Sequence, residues 1–208
     1  MTTKHTLVEH DYEIQKRDVV HDGHYRYVRN LVRFELYSGG WSDLVNREVL
    51  EHAPVVGVLP YDPFLDQIVL IEQFRIGAVG VEKTPSPWLV EIIAGCVEEG
   101  ETPGDVAHRE ANEEAGCAIE ALHPLCDYLV SPGCSNEYMY LFCGKINASA
   151  IGGIHGQPDE SEDIRAFTVS AEEAFTMLRT GQIKSAPAII ALQWLQLNRD
   201  WLRSIWQK

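Results

Sequence analysis

Basic residues are scarce in this chain, and several common features are missing. Seventeen Lys and Arg stand against 31 Asp and Glu in 208 residues, a formal charge of −14. That balance argues against broad attraction to nucleic acid or to an anionic membrane. The five cysteines are odd in number and include no C-x-x-C pair, so neither a zinc cluster nor a disulfide framework is signalled, and a reducing cytoplasm suits them. The start MTTKHTLVEHDYEIQK has no apolar core of the kind a secretory signal needs, and no stretch approaches the roughly 18 apolar residues of a membrane span. Internal repeats, low-complexity tracts and long Ser/Gly/Pro linkers are absent too. The expectation is a cytoplasmic protein with one substantial domain and an N-terminal extension. A phosphate-bearing substrate would meet repulsion here unless divalent cations, held by the surplus carboxylates, neutralise it.

What is present reads as an α/β chain. Leu31 to Tyr37 alternates like a half-buried strand, and Ser38-Gly39-Gly40 supplies a turn after it. Val55 to Leu59 and Ile68 to Ile71 are short β-branched runs on either side of Tyr61-Asp62-Pro63, which predicts paired central strands. Trp88 to Ile93, Tyr138 to Ile146 and Ile164 to Val169 add three more strands to a mixed sheet. Three helices are expected. The first has Thr102 as N-cap, Pro103 at its first position and Asp105 reaching back, and it closes at Gly116. The second opens on Ser170 with Glu173 three residues on, and the third runs on from about Pro187 with Ile190, Trp194, Leu197 and Trp201 at helical spacing, which core packing explains. Histidines 5, 10, 21 and 24 show no ligand spacing and read as scattered surface residues.

The chemistry is concentrated in residues 95 to 117, GCVEEGETPGDVAHREANEEAGC. In a helix, Glu110, Glu113 and Glu114 stand at i, i+3 and i+4, so three carboxylates share one face. Like charges at that spacing destabilise a helix unless a cation sits among them. Each acidic pair alone would pass for solvated surface. The complete spacing argues otherwise, because Gly95, Glu101, Arg109-Glu110, Glu113-Glu114 and Gly116 resemble the Nudix box, G-x5-E-x7-R-E-U-x-E-E-x-G-U, at every charged and glycine position. Ala111 is small for its aliphatic position, and Cys117 departs from the usual Ile, Leu or Val as a small apolar substitute.

The resemblance implies a Nudix fold, a mixed β-sheet sandwiched between α-helices, here with a small N-terminal β region. It implies that Glu110 and Glu114, the carbonyl of Ala94 and Glu162 hold Mg²⁺ or Mn²⁺, with Glu113 supporting. It also implies that Arg109 and Glu101 join loop to helix. Beyond the box, Asn46-Arg47-Glu48, IVLIEQFRIGA, SPGCSNE at 131 to 137, HGQPDESEDIR at 155 to 165 and the last helix resemble the ADP-ribose pyrophosphatase branch. In that branch a proline placed as Pro132 marks ADP-ribose preference, and Glu160 matches the base that activates water. A base near two cations, but not bound to both, keeps its affinity for a proton. Arg47 and Arg75 match substrate-contacting arginines, although each is also an ordinary surface arginine by composition; Glu91 and Ser131 complete the expected substrate contacts.

The expected reaction is metal-dependent hydrolysis of ADP-ribose to AMP and ribose 5-phosphate. GDP-mannose or another nucleoside diphosphate sugar is the alternative substrate, and a silent ADP-ribose sensor the alternative class. Residues 1–45 form the expected N-terminal β region and 46–208 the catalytic domain. The first part has too little apolar material for its own core, so it must pack on something. The resemblance implies a homodimer in which it completes the partner's site, with Tyr25 and Tyr27 as candidates to face the adenine.

Overall fold

The computed structural model describes residues 10–157 and 161–207. They divide into two compact units: the chain up to His52 together with Leu129–Glu137, and Ala53–Tyr128 together with Tyr138 onward. Neither the cut at His52 nor the transfer of 129–137 to the first unit is announced by any change of hydrophobic period.

The first unit is a three-stranded antiparallel sheet of β1 (Tyr12–Asp22), β2 (Arg26–Phe34) and β3 (Val45–Glu51). More of it is strand than the one alternating run predicts. β1 escapes sequence reasoning because it buries neither face, and almost every residue in it is exposed. Val28 is the core-buried hydrophobic of this sheet, whereas Tyr12, Ile14, Val19, Val20, Tyr25 and Trp41 are exposed. The 131–136 segment closes on β3: Leu50 N–H donates to the Cys134 carbonyl at 2.8 Å and His52 N–H to Asn136 Oδ1 at 2.9 Å.

The second unit is built on an eight-stranded mixed sheet. Its main path runs β10 (Gly153–His155), β11 (Ile164–Ser170), β5 (Gln67–Phe74), β4 (Val55–Asp62), β9 (Tyr138–Lys145) and β8 (Ala121–Leu129). The predicted hairpin of β4 and β5 exists, but only its tip pairs, Tyr61 with Ile68 and Asp62 with Gln67. Away from the tip β4 runs parallel to β9 on one side. On the other side stands β7 (Ile93–Cys96), antiparallel, while β6 (Trp88–Glu91) pairs with β5. The expected single strand from Trp88 to Ile93 is therefore two strands, which part at Ile92 and take different partners.

Helices cover both faces of the sheet. Leu59, Tyr61, Ile68, Leu70 and Ile92 join one core with Phe175 of α2 (Ala171–Arg179) and with Leu192 and Leu195 of α3 (Ala186–Trp206). Val56, Val58, Val69, Ile71 and Ile93 join the other core with α1 (Pro103–Ala115). Adjacent strand residues enter opposite cores, as the period of two requires. α1 buries Val106, Ala107, Ala111 and Ala115, and the small alanines at helical spacing let it lie close to the sheet. No helix among the described residues is long and apolar enough to cross a membrane.

Candidate active site

α1 begins and ends as its sequence demands. Thr102 Oγ1 accepts from Asp105 N–H at 3.3 Å while the Asp105 carboxylate accepts from Thr102 N–H at 3.0 Å, a reciprocal capping box. Gly116 closes the helix at φ +60°, a left-handed conformation suited to glycine. The fixed helix then sets out its carboxylates. Glu114 is 4 % exposed and accepts a hydrogen bond from Ala94 N–H at 3.1 Å. Burial pushes its carboxyl up to about 8, against the pull of that N–H, and the neighbouring Glu110 adds to the rise. Glu110 is raised chiefly by burial as well. Glu162 raises both, so three of the predicted metal ligands lie within electrostatic reach of one another.

Glycine makes room for this arrangement. A Cβ on Gly95 would fall 1.7 Å from Glu110 Oε1, so the carboxylate occupies the space a side chain would fill. Arg109 ties the preceding loop to the helix. Its Nε and Nη2 donate to the two oxygens of Glu101 at 2.8 and 2.9 Å, and Nη2 also donates to the Cys96 carbonyl at 3.1 Å. The same guanidinium touches Glu110 at 2.5 Å and Glu113 at 3.3 Å. Cys117 is buried, and burial pushes its thiol up to about 12, so it stays neutral in the core.

Glu160 lies outside the described residues, whereas Gln157 and Glu162 are described and bond to each other. Gln157 N–H donates to Glu162 Oε2 at 3.3 Å, and Glu162 N–H donates to the Gln157 carbonyl at 3.1 Å. Gly156 N–H reaches the Glu113 carbonyl at 3.4 Å, fastening the segment to the end of α1. Gly156 has φ +103°, and a Cβ there would lie 2.9 Å from the Glu162 carbonyl oxygen. Sequence reasoning sees this glycine as a flank of the acidic run and gives it no further role.

Two expected substrate contacts are joined to each other. Arg75 Nε donates to Glu91 Oε2 at 2.7 Å, and Glu91 is largely buried. Arg75 is also close enough to Glu114 to lower its pKa. Arg47 and Ser131 lie in the first unit: Arg47 is exposed on β3, with Nη1 donating to the Asn46 carbonyl at 3.1 Å. The Ser131 carbonyl accepts from Cys134 and Ser135 N–H, closing the turn that follows. Tyr25 packs beside His52 at 4.7 Å between ring centroids.

Among the described residues no three metal-binding side chains converge into a ready coordination sphere. Arg109 engages two of the carboxylates, and Mg²⁺ ordinarily keeps waters and substrate oxygens in its shell, so few protein ligands need converge. The donor set is nevertheless hard oxygen throughout and gathered at one helix face, which suits such an ion. A cavity of about 660 Å³ lies on the other face of the sheet, lined by Glu72, Arg165, Phe167 and Met177, and contains none of these carboxylates. The chemistry of the side chains, more than concavity, locates the site.

A mixed sheet covered on both faces, with this loop and helix laid against it, defines a metal-dependent hydrolase of the Nudix type. The NUDIX domain model matches residues 51–191, and the chain belongs to that family. It is 41% identical over 201 residues to the ADP-ribose pyrophosphatase of Escherichia coli strain K12, covering 97% of this chain and 95% of that one. It is 31% identical to the GDP-mannose pyrophosphatase of Enterobacter sp. strain 638, covering 89% and 95%. A solved structure of an ADP compounds hydrolase shares the fold, with TM-score 0.68, 18% identity and coverage of 93% and 95%.

Proposed function

We propose that the protein hydrolyses the pyrophosphate of ADP-ribose to AMP and ribose 5-phosphate in the cytoplasm, using Mg²⁺ or Mn²⁺. The observation that carries this reading is the carboxylate face of α1, with Glu162 in electrostatic reach of Glu110 and Glu114. Similarity supports ADP-ribose over GDP-mannose: the ADP-ribose pyrophosphatase is the more similar relative, 41% against 31%, over more of the chain.

Glu110, Glu114, Glu162 and the Ala94 carbonyl would hold the ion, and a buried carboxylate raised to about 8 is a group that gains from a cation. When bound, the ion draws charge from the phosphate oxygens and from the leaving phosphate. The protein's own part is to position and to move one proton. Glu160 accepts that proton at a carboxylate oxygen as water attacks phosphorus and the bridging P–O bond breaks. Glu113 supports the ligands, and Arg109 with Glu101 keeps loop and helix in register. Arg75, braced by Glu91, presents its fork to a phosphate, and Arg47 and Ser131 are the further substrate contacts that the family resemblance implies.

The partner is a second copy of the chain. A thin sheet with Tyr12, Ile14, Val19, Val20 and Trp41 exposed has too little core to stand alone, and a homodimer covers it. A panel of nucleotide sugars, with phosphate monoester products detected through alkaline phosphatase, tests the activity. ADP-ribose should turn over with Mg²⁺ and not with chelator. Faster turnover of GDP-mannose would replace the substrate, and no turnover of any compound would make the chain a sensor.

A further inference from the structure

β5 carries a polar residue where its pattern calls for a core one. Ile68 to Ile71 are fully buried, Glu72 is half-buried and lines the cavity beside α2, and Gln73 is again buried at 7 % exposure. Residues alternate across a strand, so Gln73 shares its face with Val69 and Ile71, the face against which α1 packs. Opposite it on β6 stands Leu89, and one pair further along Ile71 faces Glu91. Arg75, two residues on, returns to Glu91 at 2.7 Å. Gln73 thus lies where this face passes from hydrocarbon to the Arg75, Glu91 and Glu114 group.

Its carboxamide nitrogen is buried there without a hydrogen-bond partner. A buried donor left unmade is costly, and native proteins rarely tolerate one without a use for it. Ion pairs and backbone bonds already hold the neighbouring Glu91 and Glu114, so the amide is not needed to satisfy them. The terminal torsion of glutamine is broad, so the amide can turn toward an arriving acceptor while the side chain keeps its place.

We propose that Gln73 is a substrate-binding residue, whose side-chain NH₂ donates to a nonbridging oxygen of the bound pyrophosphate. The donor is kept unpaired in the free protein and becomes paired on binding. This rests on the pyrophosphatase reading above.

Gln73→Met keeps the length of the side chain and removes the amide, and two measurements test it. The melting temperature of the metal-free variant should rise by about 2–4 °C, because an unmade donor is gone. Calorimetric affinity for the nonhydrolysable α,β-methylene ADP-ribose with Mg²⁺ should fall about ten- to hundredfold, the range for a hydrogen bond to a charged group. Affinity for Mg²⁺ alone should stay within about twofold. Unchanged affinity for the analogue overturns the proposal, and so does a lowered melting temperature, which would mean the amide is already satisfied. Equal weakening of Mg²⁺ alone overturns it too, because the amide would then serve the metal. If the unaltered protein itself fails to bind the analogue, the pyrophosphatase reading falls first; if it binds and Gln73→Met binds equally well, only this inference falls.

Discussion

Gly95 and Glu110 compete for one volume: a Cβ on the glycine would stand 1.7 Å from Oε1 of the glutamate. The carboxylate is the far end of a flexible side chain, so it can swing away while the backbone stays. Gly95→Ala should therefore fold normally yet misplace Glu110. Circular dichroism should match the unaltered protein while kcat/KM falls about 10²-fold, the scale of an ångström of misplacement. An alanine variant with full activity would show that the position of Glu110 does not matter.

Glu114 links metal binding to pH. Its folded pKa of about 8 lies above the ordinary 4.5, so the neutral acid is favoured in the metal-free fold. The stability this group contributes is complete below 4.5 and is lost as pH rises to about 8. A cation reverses the preference and expels the proton. Titration of Mg²⁺ at pH 7, in buffers of different ionisation enthalpy, should reveal release of about one proton. Glu114→Gln should abolish the release and lower kcat by about 10² or more. A wild-type rate in that variant at saturating Mg²⁺ would remove Glu114 from the metal set.

Glu160 and Glu162 should separate under the same measurements. Glu160→Gln should lower kcat by about 10² to 10⁴ and leave Mg²⁺ affinity nearly intact. Glu162→Gln should raise the Mg²⁺ requirement. Equal weakening of Mg²⁺ by both variants would reverse the division of labour between base and ligand.

Gly156 holds Glu162 in place through backbone conformation. Alanine there meets φ +103° and a carbonyl oxygen 2.9 Å away, and neither contact is relieved by a rotamer change. Gly156→Ala should raise the Mg²⁺ concentration needed for half-maximal rate, with a smaller effect on kcat at saturation. A fall in melting temperature with no change in metal dependence would mean the glycine only shapes the turn.

The N-terminal sheet predicts a concentration effect. If a second copy covers it and shares the site, removal of residues 1–45 should give monomers with a raised KM, and dilution below the dimer dissociation constant should weaken substrate binding. Sedimentation showing a monomer with full activity would reject the shared site.

Legibility followed locality. α1 could be read residue by residue because Thr102, Pro103, Asp105 and Gly116 act within a few positions, and the box spacing places its carboxylates with no tertiary knowledge. Strands that lack a buried face carried no period: β1 is exposed along both sides, its apolar and polar residues mixed, and β8 contains Pro124, which an edge strand tolerates. The run WLVEIIAGC is apolar nearly throughout, so nothing in it signals that pairing changes hands at Ile92. The bond between Arg75 and Glu91 joins residues sixteen apart, one just past the end of β5 and the other on β6, and only the pairing of β5 with β6 brings them together.

That change of partner at Ile92 has an evolutionary consequence. Ile92 enters the core under α2 and α3 while Ile93 enters the core under α1, so the peptide between them is pinned from both sides. The arm before it holds Glu91 and Arg75, and the arm after it holds Ala94 and Gly95. Each arm answers to a different neighbouring strand. Substitutions along Trp88 to Val90 therefore bear first on the pairing with β5, and those at Ala94 and Gly95 on the pairing with β4, so the two arms can vary separately in sequence.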